Sequence, residues 1–424
     1  MTRWASLRGP TLMSSRFRIT SFIVPLSLSV FACSESSAPE GEGDNSRALG
    51  EESGEEQGAS GDSMGGGSGQ TKGGDGDGPD EIDEREADPY VPPPGSDLIP
   101  AFIAQGHLGR LVMSCDEGRT WVADQEENPD HGTCWSGDNE IECDHQPTSG
   151  RGLTYGDGAF FATFGWGAPS TIKRSENGVD WEVVLDGADD LGRFGGLGFL
   201  DGTLLAAGRS ARLSSDLGET WSESFDTSLP GYNVRRAASA GDLFVIVGDS
   251  DEVVISRDRG ITFLEPESLP AGCGAGIQTS GGIAHGNGLL VLLGGDGLAC
   301  SSSDEGRTFL STSVGGSVSS HLVFSQGEFW AYGPEGAFVS SDGENWETRS
   351  TTGMDRIGPI AVSAEGTFVG ASGGWNQWYD EQKMYRSEDG VSWSELGVDA
   401  FTGGHPLRDL EFGYVSPSAH CSAE

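Results

Sequence analysis

Seven copies of one short motif constrain the fold of this chain more than any other feature. They read SCDEGRTW from Ser114, SENGVDW from Ser175, SSDLGETW from Ser214, SRDRGITF from Ser256, SSDEGRTF from Ser302, SSDGENW from Ser340 and SEDGVSW from Ser387. Their third residues, Asp116, Asn177, Asp216, Asp258, Asp304, Asp342 and Asp389, are separated by 61, 39, 42, 46, 38 and 47 positions. A unit of about forty residues is too small to bury a core by itself. Repeated at that period, it reads as one blade of a propeller.

The surroundings of each copy recur as well. An alternating segment precedes the motif (RLVMS, TIKRS, EVVIS, AFVSS, KMYRS) and another follows it (TWVAD, WEVVL, WSESF, WETRS), which is the pattern of two strands joined by a tight turn. Upstream lies a second pair, LTYGDGAFFATFG, LGFLDGTLLAAG, IAHGNGLLVLLGG and LVFSQGEFWAYG, joined at DG, NG or QG. Four strands per repeat make one blade, and seven repeats make an all-β, seven-bladed propeller. Within the motif, an aspartate two residues past a serine can accept backbone N–H bonds across the turn. Glycine supplies positive φ, and the terminal aromatic packs between adjacent sheets.

On these residues the chain resembles the Asp-box, or BNR, repeat proteins with the sialidase-like propeller fold, over residues 98–424. The resemblance implies that the seven motif residues are structural and lie on the face opposite the ligand site. It also implies a closing device. The first repeat starts at its second strand, IPAFIAQG, whereas PLRDLEFGYVS, from Pro406 to Ser416, resembles the first strands of other repeats. The C-terminus would then complete the first blade and remove an exposed sheet edge. In that ring Cys273 pairs with Cys300 on one face and Cys115 with Cys421 on the other, while Cys134 and Cys143 share an insertion and pair together. Six cysteines allow fifteen pairings, and this set is the one expected if the chain forms the ring that the resemblance implies.

The N-terminal region is of another kind. Arg3, Arg8, Arg16 and Arg18 precede the apolar run Ile19 to Ala32, which is short for a membrane span and is followed by Cys33. Val30-Phe31-Ala32-Cys33 resembles a bacterial lipobox, so residues 1–32 read as a lipoprotein signal peptide and Cys33 as the lipidated residue. Met13 is an alternative start. The alternative to a lipobox is a signal peptide followed by an incidental cysteine. Residues 33–97 contain 18 acidic against 3 basic residues among Gly and Ser, a composition that yields a disordered, self-repelling tether. The expected location is the bacterial cell envelope, lipid-anchored, with the outer membrane favoured and the propeller outside the cytoplasm. A formal net charge of -41 disfavours nucleic acid as a partner.

Two sets of residues are candidates for ligand contact on the face opposite the motifs. Trp135, Trp166, Tyr232, Trp375, Trp378 and Tyr379 offer aromatic surface for a sugar ring or a protein patch; packing against their own loops is the alternative. Arg151, Arg193, Arg235, Arg236, Arg356 and Arg408 stand just before predicted first strands, with His321 in a comparable place. They could ring the channel mouth and attract a carboxylate or an acidic peptide, or could form ordinary surface ion pairs. A sialidase needs three arginines, a tyrosine with a glutamate partner, and an aspartate. The Phe/Tyr-Arg-Ile-Pro motif of that family is absent, the corresponding segment being SDLIPAFIAQG. No catalytic residue is assigned, and no HExxH, paired CxxC, G-x-S-x-G or P-loop occurs. Neither cofactor nor metal is expected. The leading expectation is a monomeric, non-catalytic binding module for protein or glycan. The alternatives are a sialidase-like glycoside hydrolase and an assembly factor for an envelope complex.

Overall fold

The chain divides into two units, Met1–Pro79 and Asp80–Glu424. The computed structural model describes residue 92 and, with internal gaps, residues 96–422 of the second unit. The described residues form a seven-bladed β-propeller of antiparallel sheets. Blade one consists of Leu407–Val415, Ile99–Gly106, Leu111–Ser114 and Val122–Gln125. Blade two runs Gly150–Gly156, Ala159–Phe164, Thr171–Ser175 and Glu182–Leu185. The innermost strands of blades three to seven are Gly196–Leu200, Val234–Ala240, Ile283–Gly286, Leu322–Ser325 and Ile360–Val362.

The C-terminal strand closes the ring as the repeats require. Leu407–Val415 pairs antiparallel with Ile99–Gly106 from Ile99↔Val415 to Gly106↔Leu407, and Phe102 meets Phe412 edge-on at 5.1 Å. Disulfides join Cys115 to Cys421 and Cys273 to Cys300, each across a Cα separation of 5.9 Å. Cys33, Cys134 and Cys143 lie outside the described residues.

Two blades depart from the expected four full strands. In blade three, expected to end in the strand WSESF, the Ser222 hydroxyl accepts the Leu213 N–H at 3.0 Å, and the outer segment joins the sheet through the isolated bridge Ala211↔Phe225. In blade four the outer segment is bridged only at Ile255↔Leu264. Pro266, two residues further on, has no N–H with which to extend the ladder.

The core is a ring of interfaces rather than one mass. Each apolar cluster takes residues from two neighbouring sheets: Leu205, Ala207 and Leu213 of blade three with Phe244, Ile246 and Val254 of blade four, for example. The glycine of each repeated turn sits against the preceding blade. A Cβ on Gly218, where φ is +88°, would come within 3.0 Å of Val184, and one on Gly118 would overlap Val369. The glycine is therefore required twice, for its φ and for the close approach of the next sheet.

Candidate functional site

Antiparallel topology puts the repeated turns, between third and fourth strands, on the same face as the first inner turns. The starts of the innermost strands lie on the opposite face. The turn face is occupied by internal bonding. In the third copy Asp216 Oδ1 accepts the Thr220 N–H at 2.9 Å and the Ser214 hydroxyl at 2.8 Å, while Oδ2 accepts the Thr220 hydroxyl at 2.6 Å. Asp116, Asp258 and Asp304 repeat this set, and Asn177, Asp342 and Asp389 bond the N–H groups of their shorter turns. Backbone and side-chain donors of Thr308 hold Asp304 well below the usual carboxylate range; those of Asn345 do the same for Asp342.

Adjacent turns are also stapled to one another. Arg174 donates to the Leu217 carbonyl at 3.0 Å, Arg257 to that of Glu305 at 2.8 Å and Arg386 to that of Glu117 at 2.7 Å. Trp221 sends its indole N–H to the Val184 carbonyl of the preceding blade at 3.0 Å. The carboxylates of these turns are thus taken up within their own turns, while Arg174, Arg257, Arg386 and Trp221 hold neighbouring blades together.

The channel is different. It encloses about 390 Å³ and is lined by all seven innermost strands. Counting four residues back from the last pair of each inner hairpin gives Gly152, Gly196, Arg236, Gly282 and His321. Gly152 and Gly196 leave no room for side chains, since a Cβ on Gly152 would lie 2.9 Å from the Gly196 Cα and one on Gly196 would strike Ala237. Blades two, three and four are drawn together there. Arg236 thereby reaches Asp409 of blade one, and its Nη1 donates to Asp409 Oδ2 at 2.7 Å. The same oxygen accepts the Leu153 N–H at 3.0 Å, and Oδ1 accepts that of Leu410 at 3.1 Å.

Both members of this pair are buried, at 6 % and 3 % exposure. Burial pushes the Asp409 carboxyl up, against the pull of Arg236 and its backbone donors. Glu411, two residues along the same strand and partly open to the channel, is pushed up to about 8 by burial and then by Asp409, with Arg236 opposing. Its carboxyl is mainly protonated at neutral pH. Burial and the Arg236 charge hold His321 down to about 3, so it is uncharged. One layer further along, Tyr155, His285, Phe324 and Phe412 present flat side chains to the cavity. The rings of Tyr155 and Phe324 lie on the bare backbone of Gly413 and Gly286 in the preceding blade. Among the described residues no group of three or more His, Cys, Asp or Glu side chains is disposed to hold a metal.

The expected arginine ring resolves differently. Arg151, Arg235, Arg236 and Arg408 lie within first strands rather than before them, because those strands begin earlier than their apolar runs. Arg236 lines the cavity, whereas Arg408 is buried without lining it, and burial lowers it to about 10. Arg356 is exposed, and His321 directly precedes its strand. The side chains of Arg151 and Arg235, and all of Arg193, lie outside the described residues. So do Trp166, Tyr232, Trp375, Trp378 and Tyr379; for Trp135 only the backbone is described, in a two-residue strand paired with Asn139–Glu140. Asp409, Glu411 and His285 were not anticipated. Asp409 could have been found by aligning the C-terminal strand with the other inner strands, which sets it level with Arg236.

No model of a known protein family matches the chain, and no curated protein matches it. Solved structures share the fold. YCF48 bound to D1 peptide is similar at 16% identity over 63% of this chain and 93% of that one, with a TM-score of 0.45. Apo AztD from Citrobacter koseri is similar at 11% over 76% and 99%, TM-score 0.47. The GH74 xyloglucanase from Xanthomonas campestris is similar at 12% over 77% and 68%, TM-score 0.35.

Proposed function

We propose that this chain is a lipid-anchored binding module of the bacterial cell envelope. A tether from Cys33 would present an Asp-box propeller whose ligand, a protein or a glycan, docks on the face opposite the repeated turns. One observation supports this reading: the carboxylates of the repeated turns are taken up by donors of their own turns, whereas the channel that runs between the two faces gathers buried charge, a carboxyl raised by burial and flat rings around a hollow. Trp375, Trp378 and Tyr379, in the sequence between Phe368–Ala371 and Met384–Ser387, are proposed as its outer contacts.

A sialidase-like hydrolase is the second reading. Glu411, protonated beside Asp409, has the character of a general acid with a carboxylate neighbour. Against it, Arg236 is the one arginine lining the cavity among the described residues, where a sialidase needs three. The test uses the mature chain with Cys33→Ser, which keeps it off the membrane, on glycan and protein arrays and on fluorogenic glycosides in parallel. Binding without turnover supports the module. Turnover lost in Glu411→Gln would establish the hydrolase. Acylation of the parent chain, absent in Cys33→Ser, tests the anchor.

A further inference from the structure

A buried arginine–aspartate pair is a poor investment for stability, because desolvating two charges offsets most of their attraction and an apolar pair of similar volume does as well. Here the pair stands at a register layer that in blades two, three and five carries only glycine. Asp409 serves the fold by accepting the Leu153 and Leu410 N–H groups, but those bonds do not require the charge of Arg236. Moreover, Arg236 Nε meets no hydrogen-bond acceptor among the described residues although the side chain is 92 % buried. A buried donor left without an acceptor in a hollow of about 390 Å³ marks a place prepared for something else.

The charges in the channel say what it would hold. An anion on Arg236 would have to face Asp409, and a cation on Asp409 would have to face Arg236, so neither gains an unopposed partner. Among the described residues the Nε–H of Arg236 and Nδ1 of His285 are buried without a hydrogen bond, and the carboxyl of Glu411 lines the same cavity. Hydroxyl groups, which donate and accept, match such a mixture. Tyr155, Phe324 and Phe412 add flat apolar walls at one layer, suited to the C–H face of a saturated ring. The volume lies at the small end of small-molecule sites.

We propose that the propeller channel binds an uncharged polyol of monosaccharide size, through Arg236 and Glu411 against the aromatic layer. The proposal rests on the reading of the chain as a binding module and names the ligand chemistry of its interior. The titratable groups sharing the cavity with Glu411 are Asp409 on its own strand, Tyr155, Arg236, His285 and His321 from other blades, and Tyr414 further along. Ionisation of Glu411 beside Asp409 removes a donor, so affinity falls as pH rises through the alkaline range.

The test is calorimetry and saturation-transfer NMR on the full-length Cys33→Ser chain at pH 6. Glucose, galactose and myo-inositol are the uncharged probes, glucuronate the anion and glucosamine the cation. At least one uncharged probe binds at least ~10-fold more tightly than both charged ones. Glu411→Ala weakens it at least ~10-fold and Glu411→Gln restores part of the loss, with circular dichroism confirming that both variants are folded. Tighter binding of glucuronate or glucosamine, equal binding in folded Glu411→Ala, or no binding by any uncharged probe overturns the proposal. Array partners without probe binding would sink this inference and leave the module standing; probe binding without array partners would keep the channel site and remove the protein or glycan ligand proposed for the outer face.

Discussion

The Cys115–Cys421 disulfide is the sharpest test of ring closure. It bridges 306 positions, whereas Cys273–Cys300 bridges 27. If a cross-link acts by constraining the unfolded chain, its contribution grows as the logarithm of the loop it closes: about 5.7 kcal/mol for the long loop and about 3.5 kcal/mol for the short one. With an unfolding entropy of about 2.1 cal/mol/K per residue over roughly 330 residues, the paired Cys→Ser variants should melt about 8 °C and about 5 °C below the parent. Native geometry should survive at room temperature in both, because the ladder from Ile99↔Val415 to Gly106↔Leu407 is independent of the sulfur link. Differential scanning calorimetry under non-reducing conditions reads the two shifts. If removing Cys273–Cys300 costs as much as removing Cys115–Cys421, the first and last strands are not being held by closure, and the entropic argument fails for this ring.

Other consequences follow from the channel and the closing strand. Truncation before Leu407 strips the partner from Ile99–Gly106 and exposes a full strand edge; the product should associate more strongly than the parent by light scattering. Asp409→Ala leaves Arg236 buried without its carboxylate and should cost about 3–5 kcal/mol in urea unfolding, while Arg236→Met with Asp409→Leu should stay within ~1 kcal/mol of the parent. Two titrating channel groups make opposing contributions to the pH dependence of stability. Glu411, raised from 4.5 to about 8, contributes stability that is complete below pH 4.5 and lost as pH rises through about 8. His321, lowered from 6.5 to about 3, contributes stability that is complete above pH 6.5 and lost as pH falls through about 3. The two slopes oppose each other between pH 4.5 and 6.5, so thermal melts should peak in mildly acidic buffer. Glu411→Gln should reduce the decline between pH 6.5 and 8, where the slope from this one group is at most about 1.4 kcal/mol per pH unit.

The architecture was legible because each of its devices is local or periodic. Ser214, Asp216, Gly218 and Trp221 form one turn, and seven such turns at blade spacing imply a ring. Closure followed from a missing first strand at Ile99 and a surplus one after Pro406, and the two described disulfides then followed from the faces to which their cysteines belong. The channel was not legible in the same way. Asp409 and Arg236 are 173 positions apart, and they meet because glycines at 152 and 196 allow three inner strands to crowd together, a lateral effect with no periodic signature. Arginines were visible as a scarce type in an acidic chain, but type alone did not separate Arg236, which lines the cavity, from Arg408, buried one residue before Asp409. The outer segment of blade three, WSESF, was read as a strand from its alternation, which is blind to a serine hydroxyl standing in for a backbone carbonyl.

The central claim is that the repeated turns build the ring and the opposite face binds. Array binding and glycoside turnover should therefore be measured together, with melting temperature, for the parent, Asp216→Ala and the pair Trp375→Ala with Trp378→Ala. The account predicts binding without turnover in the parent. It predicts lowered melting with binding kept in folded Asp216→Ala, and unchanged melting with binding lost in the tryptophan pair. Binding lost in Asp216→Ala at an unchanged melting temperature, with the tryptophan pair still binding, would contradict it.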